Sequence, residues 1–408
     1  MRLEVKKLTR IIGLVTFALS IFPPAFGQHH QLADQYNEVD MHVRRVGQYH
    51  ISDPEVLADS LTQRFHKEDE KVRAIYAWVA TNISYNTIGY KNGWTDTQNV
   101  PQLLHSRKAL CSGFSLLFDY LCQCASIESE IIEGYAKGIG YTSGQKFKKP
   151  NHAWNAVKIE DTWHLLDATW AAGLTDTSFE TAIELDRYFK VDPEVFIKTH
   201  LPEDPTWQLL PSKQTIEGFE NGVPIPVHNR AMNGYAPADY EGMDDYDKEL
   251  LMFKRSFDFH PANVDFVERL SFAYIYKAIG ITEKLAQTDG LSLVEKAAEF
   301  EASFHLYMDS AWVLVDTLPQ IRIQKGRQII ADEINFQKGV FYYELGVETF
   351  IKRNMARISD LEAVDRTNIY FRKAIEFFKN VPSTSIYRRT ASEYLQQMKG
   401  FASRAPDN

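Results

Sequence analysis

Ala109-Leu110-Cys111-Ser112-Gly113-Phe114, Asn151-His152-Ala153-Trp154-Asn155-Ala156-Val157 and Trp163-His164-Leu165-Leu166-Asp167-Ala168-Thr169-Trp170 are the pieces of sequence on which the fold turns. After Cys111 the apolar residues Phe114, Leu117, Phe118 and Leu121 recur at helical spacing, which predicts a helix with Cys111 at its N-terminus. Unpaired N–H groups and the positive end of the helix dipole favour a thiolate there. Residues 151–157 and 163–170 instead alternate as strands around the polar pair Glu160-Asp161, the pattern of a hairpin. With a two-residue turn, Ile159 faces Thr162 and Trp154 faces Asp167. His152 and Asp167 then share a sheet face as diagonal neighbours, about 7 to 8 Å apart before the side chains reach. A thiol at a helix start, an imidazole to pair with it and a carboxylate to orient the imidazole are the parts of a nucleophilic acyl-transfer site.

In this order and spacing, Cys111-Ser112-Gly113-Phe114, His152-Ala153-Trp154-Asn155 and Trp163 with Asp167-Ala168-Thr169-Trp170 resemble the catalytic core of the transglutaminase-like superfamily. Upstream, the helix from Lys71 to Trp78 and the stretch Asn82-Ile83-Ser84-Tyr85 are similar to that domain's entry helix and turn. Downstream, Tyr188-Phe189, Asp192-Pro193, His200-Leu201-Pro202 and Trp207-Gln208-Leu209-Leu210 are similar to the extension of the kyphoscoliosis-peptidase-like branch. The resemblance covers residues 70–219. It implies an α+β, papain-like transglutaminase core, a helix packed on an antiparallel sheet, with Cys111, His152 and Asp167 as its triad.

Two positions depart from the family pattern. Ala109 stands where glycine is frequent, and Ser112 where an acidic residue often follows the cysteine. Neither is a triad member. In related enzymes an upstream Trp or Gln side chain supports the cysteine N–H in binding the oxyanion. Trp94, Gln98 and Gln102, in the loop-like stretch 87–102, are the candidates; polar loop surface is the alternative for each. His164 and His200 are read as structural, because parity puts His164 on the face opposite Asp167 and His200 falls in a Thr199-His200-Leu201-Pro202 turn.

Outward from this core, the chain begins with Lys6, Lys7 and Arg10 before an apolar run from Ile11 to Phe22 and a small-residue Ala25-Phe26-Gly27 site. Residues 1–27 are expected to be a cleaved signal peptide, too short to span a membrane, of a bacterial, exported protein that is periplasmic or extracellular. Residues 28–69 read as one or two helices that cover the catalytic domain. The 408 residues are 44% hydrophobic and 24% charged, enough for two cores. The net charge of -9 becomes -12 once the leader's four basic residues and one acidic residue are removed, which argues against a nucleic-acid partner. Cys111, Cys122 and Cys124 would lie on one helix, with the first two about 16 Å apart at 1.5 Å per residue, so no disulfide is expected between them.

Between the nucleophile helix and His152, residues 136–150 read as a flexible loop of Gly, Lys and Ser, whose Lys146, Lys148 and Lys149 could attract an acidic substrate or simply be solvated. Residues 220–241, with Pro224-Ile225-Pro226 and Asn233-Gly234, read as a linker. Residues 242–408 read as an all-α domain of helical hairpins. Aromatic groups such as Phe272, Tyr274 and Tyr276, then Phe300, Phe304 and Tyr307, then Phe341, Tyr342 and Tyr343 are its core stripes. Ala374, Phe378 and Pro382 resemble a tetratricopeptide unit, without a clean 34-residue period.

The function read from these residues is a cysteine acyl-transfer enzyme that hydrolyses a peptide or isopeptide bond of a protein or peptide substrate through a thioester. The alternatives are a cross-linking transglutaminase and a silent module that binds protein in the old cleft. By fold analogy the helical domain offers a second protein-binding surface. No cofactor, no metal and no membrane span are expected.

Overall fold

The computed structural model describes residues 35–93, 99–138, 140–173, 175–176, 179–180, 182–222, 236–261, 264–288, 290–316, 324–355 and 361–402. The leader, Trp94, Gln98 and most of the 220–241 linker lie outside them. The chain divides into two compact units, the first running through Glu203 and resuming at Trp207, the second comprising Asp204–Thr206 and the chain from Gly234 onward.

The first unit opens with α1 (Asn37–Val46) and α2 (Pro54–Thr62), the latter capped by the Asp53 carboxylate. α3 (Glu68–Asn82) follows. Every residue from Val72 to Ala80 on it is buried, so it is a core helix covered on all sides. Its buried Arg73 donates to both carboxylate oxygens of Asp40 at 3.0 and 2.8 Å and to Asp186 at 2.7 Å, which ties α1 and the 185–187 turn to it. The residues of α1 and α2 share one apolar core with α3 and the nucleophile helix.

The stretch predicted as loop from 87 to 102 holds local helix signals. β1 (Ser84–Tyr85) leads into α4 (Thr87–Lys91), capped by Asn86, and α5 (Val100–Ser106) begins with a capping box. In that box Gln102 Oε1 accepts the Asn99 N–H at 3.0 Å, so the Gln102 side chain is held back on its own helix start. β2 (Lys108–Ala109) pairs in parallel with β1, and α6 (Cys111–Cys124) starts two residues after Ala109.

α6 packs on an antiparallel sheet of order β5-β4-β3-β8. Its strands are β3 (Ser129–Ala136), β4 (His152–Ile159), β5 (Thr162–Leu166) and, after α7 (Ala168–Ala172), the short β6 (Thr175–Asp176) and β7 (Phe179–Glu180) pair and α8 (Pro193–Phe196), the strand β8 (His200–Pro202). Ile159 pairs with Thr162, as predicted, and Glu160 and Asp161 have φ of 47° and 62°, the left-handed pair of a tight hairpin turn. The ladder ends at Asn155 and Leu166, and Asp167 leaves the strand to cap α7.

Two expectations are corrected. His200 is not in a turn: it begins β8, whose pairing with β3 joins residues 64 to 68 positions apart and leaves no local signal. Residues 137–138 and 140–150 are irregular but anchored. Glu220, on α9 (Ile216–Asn221), accepts the Phe147 N–H at 2.7 Å and pairs with Lys146 at 2.8 Å, and Phe147 is buried against Tyr135, Tyr141 and Phe219.

The second unit is helical: α10 (Asp245–Phe259), α11 (Val264–Ala286), α12 (Gly290–Asp316), α13 (Gln324–Met355), α14 (Leu361–Asn380) and α15 (Arg388–Ala402). Its core includes the predicted Phe304, Phe341, Tyr342 and Phe378, whereas Tyr276 is exposed. Gly339 lets α14 close on α13, for a Cβ there would stand 2.6 Å from the Phe378 ring. α13 alone has 32 residues, close to the 34 in which a tetratricopeptide unit fits two helices. Among the described residues no helix is long and apolar enough to cross a membrane.

Candidate active site

Cys111 is the first residue of α6. The strand before it is held by the parallel pairing of Tyr85 with Ala109 and by the Asn86 N–H, which donates to the Ala109 carbonyl at 2.8 Å. The Gly113 and Phe114 N–H groups donate to the Leu110 carbonyl, so the helix is already closed one residue before the thiol. N–H groups ahead of that first bond lack intrahelical acceptors, and the cysteine stands at this end of the helix. All three cysteines are free; Cys122 is buried, and Cys124 is half-buried against the same core.

His152 is the first residue of β4, with 8% of its side chain exposed. Its Nε2–H donates to Asp167 Oδ2 at 2.7 Å, and Cys111 lies near enough to its ring to favour the imidazolium. The three residues singled out from sequence therefore lie in one chain of contacts. Asp167 is fully buried. Its N–H donates to the Tyr188 carbonyl at 3.0 Å, and its Oδ1 accepts the Trp170 N–H at 2.9 Å as the cap of α7.

Burial alone would push the His152 imidazolium down. The Asp167 charge, its hydrogen bond and Cys111 outweigh burial and hold His152 up at about 10. Burial would likewise raise Asp167, but the two histidines that face it keep it well below the usual carboxylate range. Burial pushes the Cys122 thiol well up and, more weakly, the Cys124 thiol as well.

The second of those histidines is His200, which the sequence reading set aside. Its Nε2–H donates to the same Asp167 Oδ2 at 3.1 Å, and its Nδ1 lies 2.9 Å from the Thr199 hydroxyl. Its ring stacks on Phe196 at 4.0 Å and tilts against Trp170 at 4.2 Å. Burial, helped by the nearby His152 charge, pushes His200 down to about 4 despite the bond to Asp167. His152, Asp167 and His200 are also the described residues whose ligand atoms cluster closely enough to hold a metal ion. Separations of 2.7 and 3.1 Å with donors on both sides are those of hydrogen bonds to a shared carboxylate oxygen.

Other motif residues acquire physical roles. The buried Asn155 amide donates to the Ser115 carbonyl of α6 at 3.1 Å and to the Glu130 carbonyl of β3 at 3.4 Å, fixing the nucleophile helix against the strand that carries His152. Trp154 and Trp170 flank both imidazoles, with ring centres 4.2 to 6.0 Å from them. Gly134 pairs with His152 on one side and Pro202 on the other, and a Cβ there would meet the Leu201 carbonyl oxygen at 2.3 Å. His164 faces Val157 on β4, away from this cluster.

Residues 55–168 match the family model of the Transglutaminase-like superfamily, a span that holds Cys111, His152 and Asp167 and ends before His200. This part of the chain is a transglutaminase-like core. Kyphoscoliosis peptidase of Mus musculus is 36% identical over 170 residues, 41% of this chain and 26% of the mouse protein. Kyphoscoliosis peptidase of Homo sapiens is 35% identical over 192 residues, 46% of this chain and 29% of the human one. Hillarin of Drosophila melanogaster is 27% identical over 215 residues, 49% and 26% of the two chains. The chain thus spans less than a third of the length of these relatives.

Proposed function

We propose that this chain is a cysteine acyl-transfer enzyme that hydrolyses peptide or isopeptide bonds in protein. The observation that carries the reading is the continuous contact from Cys111 through His152 to a buried, ionised Asp167. In the proposed cycle the Cys111 sulfur forms a bond to an amide carbonyl carbon while first-turn N–H groups of α6 receive the oxyanion. The C–N bond then breaks, and His152 gives its proton to the departing amine. Water attacks the thioester, His152 takes the water's proton, and the acid leaves as the thiolate returns.

The same thioester could pass to a lysine amine, and that outcome separates hydrolysis from cross-linking. Hydrolysis is favoured because two similar proteins carry the name peptidase. Export after cleavage at Gly27 and a protein partner on the helical unit belong to the same proposal, supported by the leader-like sequence and by fold analogy.

The test incubates the full chain with casein and with envelope proteins, with and without a labelled primary amine, beside Cys111→Ala. Cysteine-dependent cleavage is expected. Cysteine-dependent label uptake without cleavage would replace hydrolysis by cross-linking, and neither signal would favour the silent binding module.

A further inference from the structure

We propose that His200 is a positioning residue of this site: a neutral second imidazole that clamps the Asp167 carboxylate for His152. This rests on the acyl-transfer reading above and adds a fourth residue to it.

The hydrogen bond to Asp167 fixes one proton on the ring. An ionised carboxylate only accepts, so the His200 Nε2, 3.1 Å from Asp167 Oδ2, carries a proton. With Nε2 protonated, a neutral ring leaves Nδ1 as an acceptor for the Thr199 hydroxyl at 2.9 Å, a shorter bond than that hydroxyl's alternative, donation to the Phe196 carbonyl at 3.4 Å. The Phe196 carbonyl, which also faces the ring, favours the charged form. Burial and the His152 charge act against it and prevail. The remaining titratable groups around Asp167 are Tyr76 on α3, Tyr85 on β1 and Tyr188, and burial raises all three hydroxyls, so they stay neutral.

Neutrality is what makes the arrangement useful. Two imidazoliums on one carboxylate would compete for its charge and weaken the hold on the one that faces Cys111. A neutral N–H instead satisfies a lone pair of a fully buried carboxylate without adding charge, leaving His152 as the cation of the pair. Oδ1 is pinned by the Trp170 N–H and Oδ2 by His200, so the carboxylate cannot swing away from His152. Phe196 and Trp170 hold the His200 ring between them.

The experiment measures the rate at which iodoacetamide modifies Cys111 in the full chain from pH 5 to 9. His200→Phe keeps an aromatic ring on Phe196 but removes the donor. It should slow Cys111 labelling at pH 6 by about tenfold, the loss of one hydrogen bond to a charged group, and move the reactive limb to higher pH. His200→Gln can place an amide N–H near the position of Nε2 and should restore most of the rate. A wild-type low-pH limb left unmoved by His200→Phe would overturn the proposal while leaving the acyl-transfer site standing. Absence of that limb in the wild type would overturn both.

Nitrogen NMR of the 15N-histidine-labelled wild-type chain tests the clamp without a substitution. His200 should remain a neutral Nε2–H tautomer from pH 5 to 8 while His152 is doubly protonated. A charged His200 at pH 7, or an Nδ1–H tautomer, would refute it.

Discussion

Gly134→Ala should disturb the candidate site from a position that carries no reactive group. The added Cβ would stand 2.3 Å from the Leu201 carbonyl oxygen, 2.5 Å from Trp154 Cη2 and 2.8 Å from Pro202 Cα. Two of these three contacts are to backbone, so no side-chain rotation relieves them. β8 must retreat by about an ångström to reach ordinary contact distance, and it carries His200 at its first position. Overpacking of this kind costs typically about 1 to 3 kcal/mol, and a backbone clash belongs in the upper half of that range. For a unit of this size the melting temperature should fall by roughly 4 to 12 °C. A shift of about an ångström in positioning groups can cost roughly a hundredfold in rate, so Cys111 reactivity should fall more than stability does.

Tryptophan fluorescence is a suitable monitor, because of seven tryptophans only Trp312 belongs to the second unit. Gly144→Ala is the control. Unlike Gly134 it has a positive φ, 81°, so the substitution carries backbone strain of its own, but nothing lies within 4 Å of the added Cβ. If Gly134→Ala melts within a degree or two of Gly144→Ala and labels Cys111 at the wild-type rate, the close approach of β3 and β8 does not support the site as argued.

Other outcomes follow from the same contacts. His152, held up at about 10, adds stability that is fully present below about pH 6.5 and is lost as pH rises through about 10. His200, pushed down to about 4, takes up a proton in the unfolded chain before the folded one, so stability falls as pH drops from about 6.5 toward 4; the lowered Asp167 extends the loss to lower pH. The melting temperature of the first unit should therefore peak near pH 6.5, and a flat profile between pH 4 and 10 would contradict these assignments. Glu220→Gln removes the charge facing Lys146 and weakens the bond to the Phe147 N–H, so trypsin should cut after Lys146 or Lys148 several times faster, read by mass spectrometry of the first fragments. Asn155→Ala unties α6 from β3 and β4 and leaves buried carbonyls short of a donor, which should cost about 1 to 3 kcal/mol in denaturant unfolding.

The parts legible in sequence were those whose signal is local. The spacing of Phe114, Leu117, Phe118 and Leu121 gave the nucleophile helix, and the Glu160-Asp161 pair gave the hairpin with its register. Helical spacing in the C-terminal half likewise marked residues that are buried, such as Phe304 and Phe378. What escaped depends on distant pairing. His200 reaches Asp167 only because β8 returns to pair with β3, and a short Thr-His-Leu-Pro stretch carries the marks of a turn. The loop before His152 has the composition of a free segment, yet the carboxylate that anchors it comes from Glu220, some 70 positions later. Gln102 shows the reverse failure. Its capping-box pattern with Asn99 was local, but polar composition was read in place of the spacing.

The most direct measurement is site-resolved alkylation. The full chain, exposed briefly to iodoacetamide at pH 6, is digested and the label at each cysteine quantified, in the wild type and in His152→Gln. The account predicts that Cys111 carries nearly all the label, that buried Cys122 carries almost none and Cys124 little, and that His152→Gln removes the preference for Cys111. Equal slow labelling of Cys111 and Cys124 in the wild type, or a preference for Cys111 that survives His152→Gln, would contradict it.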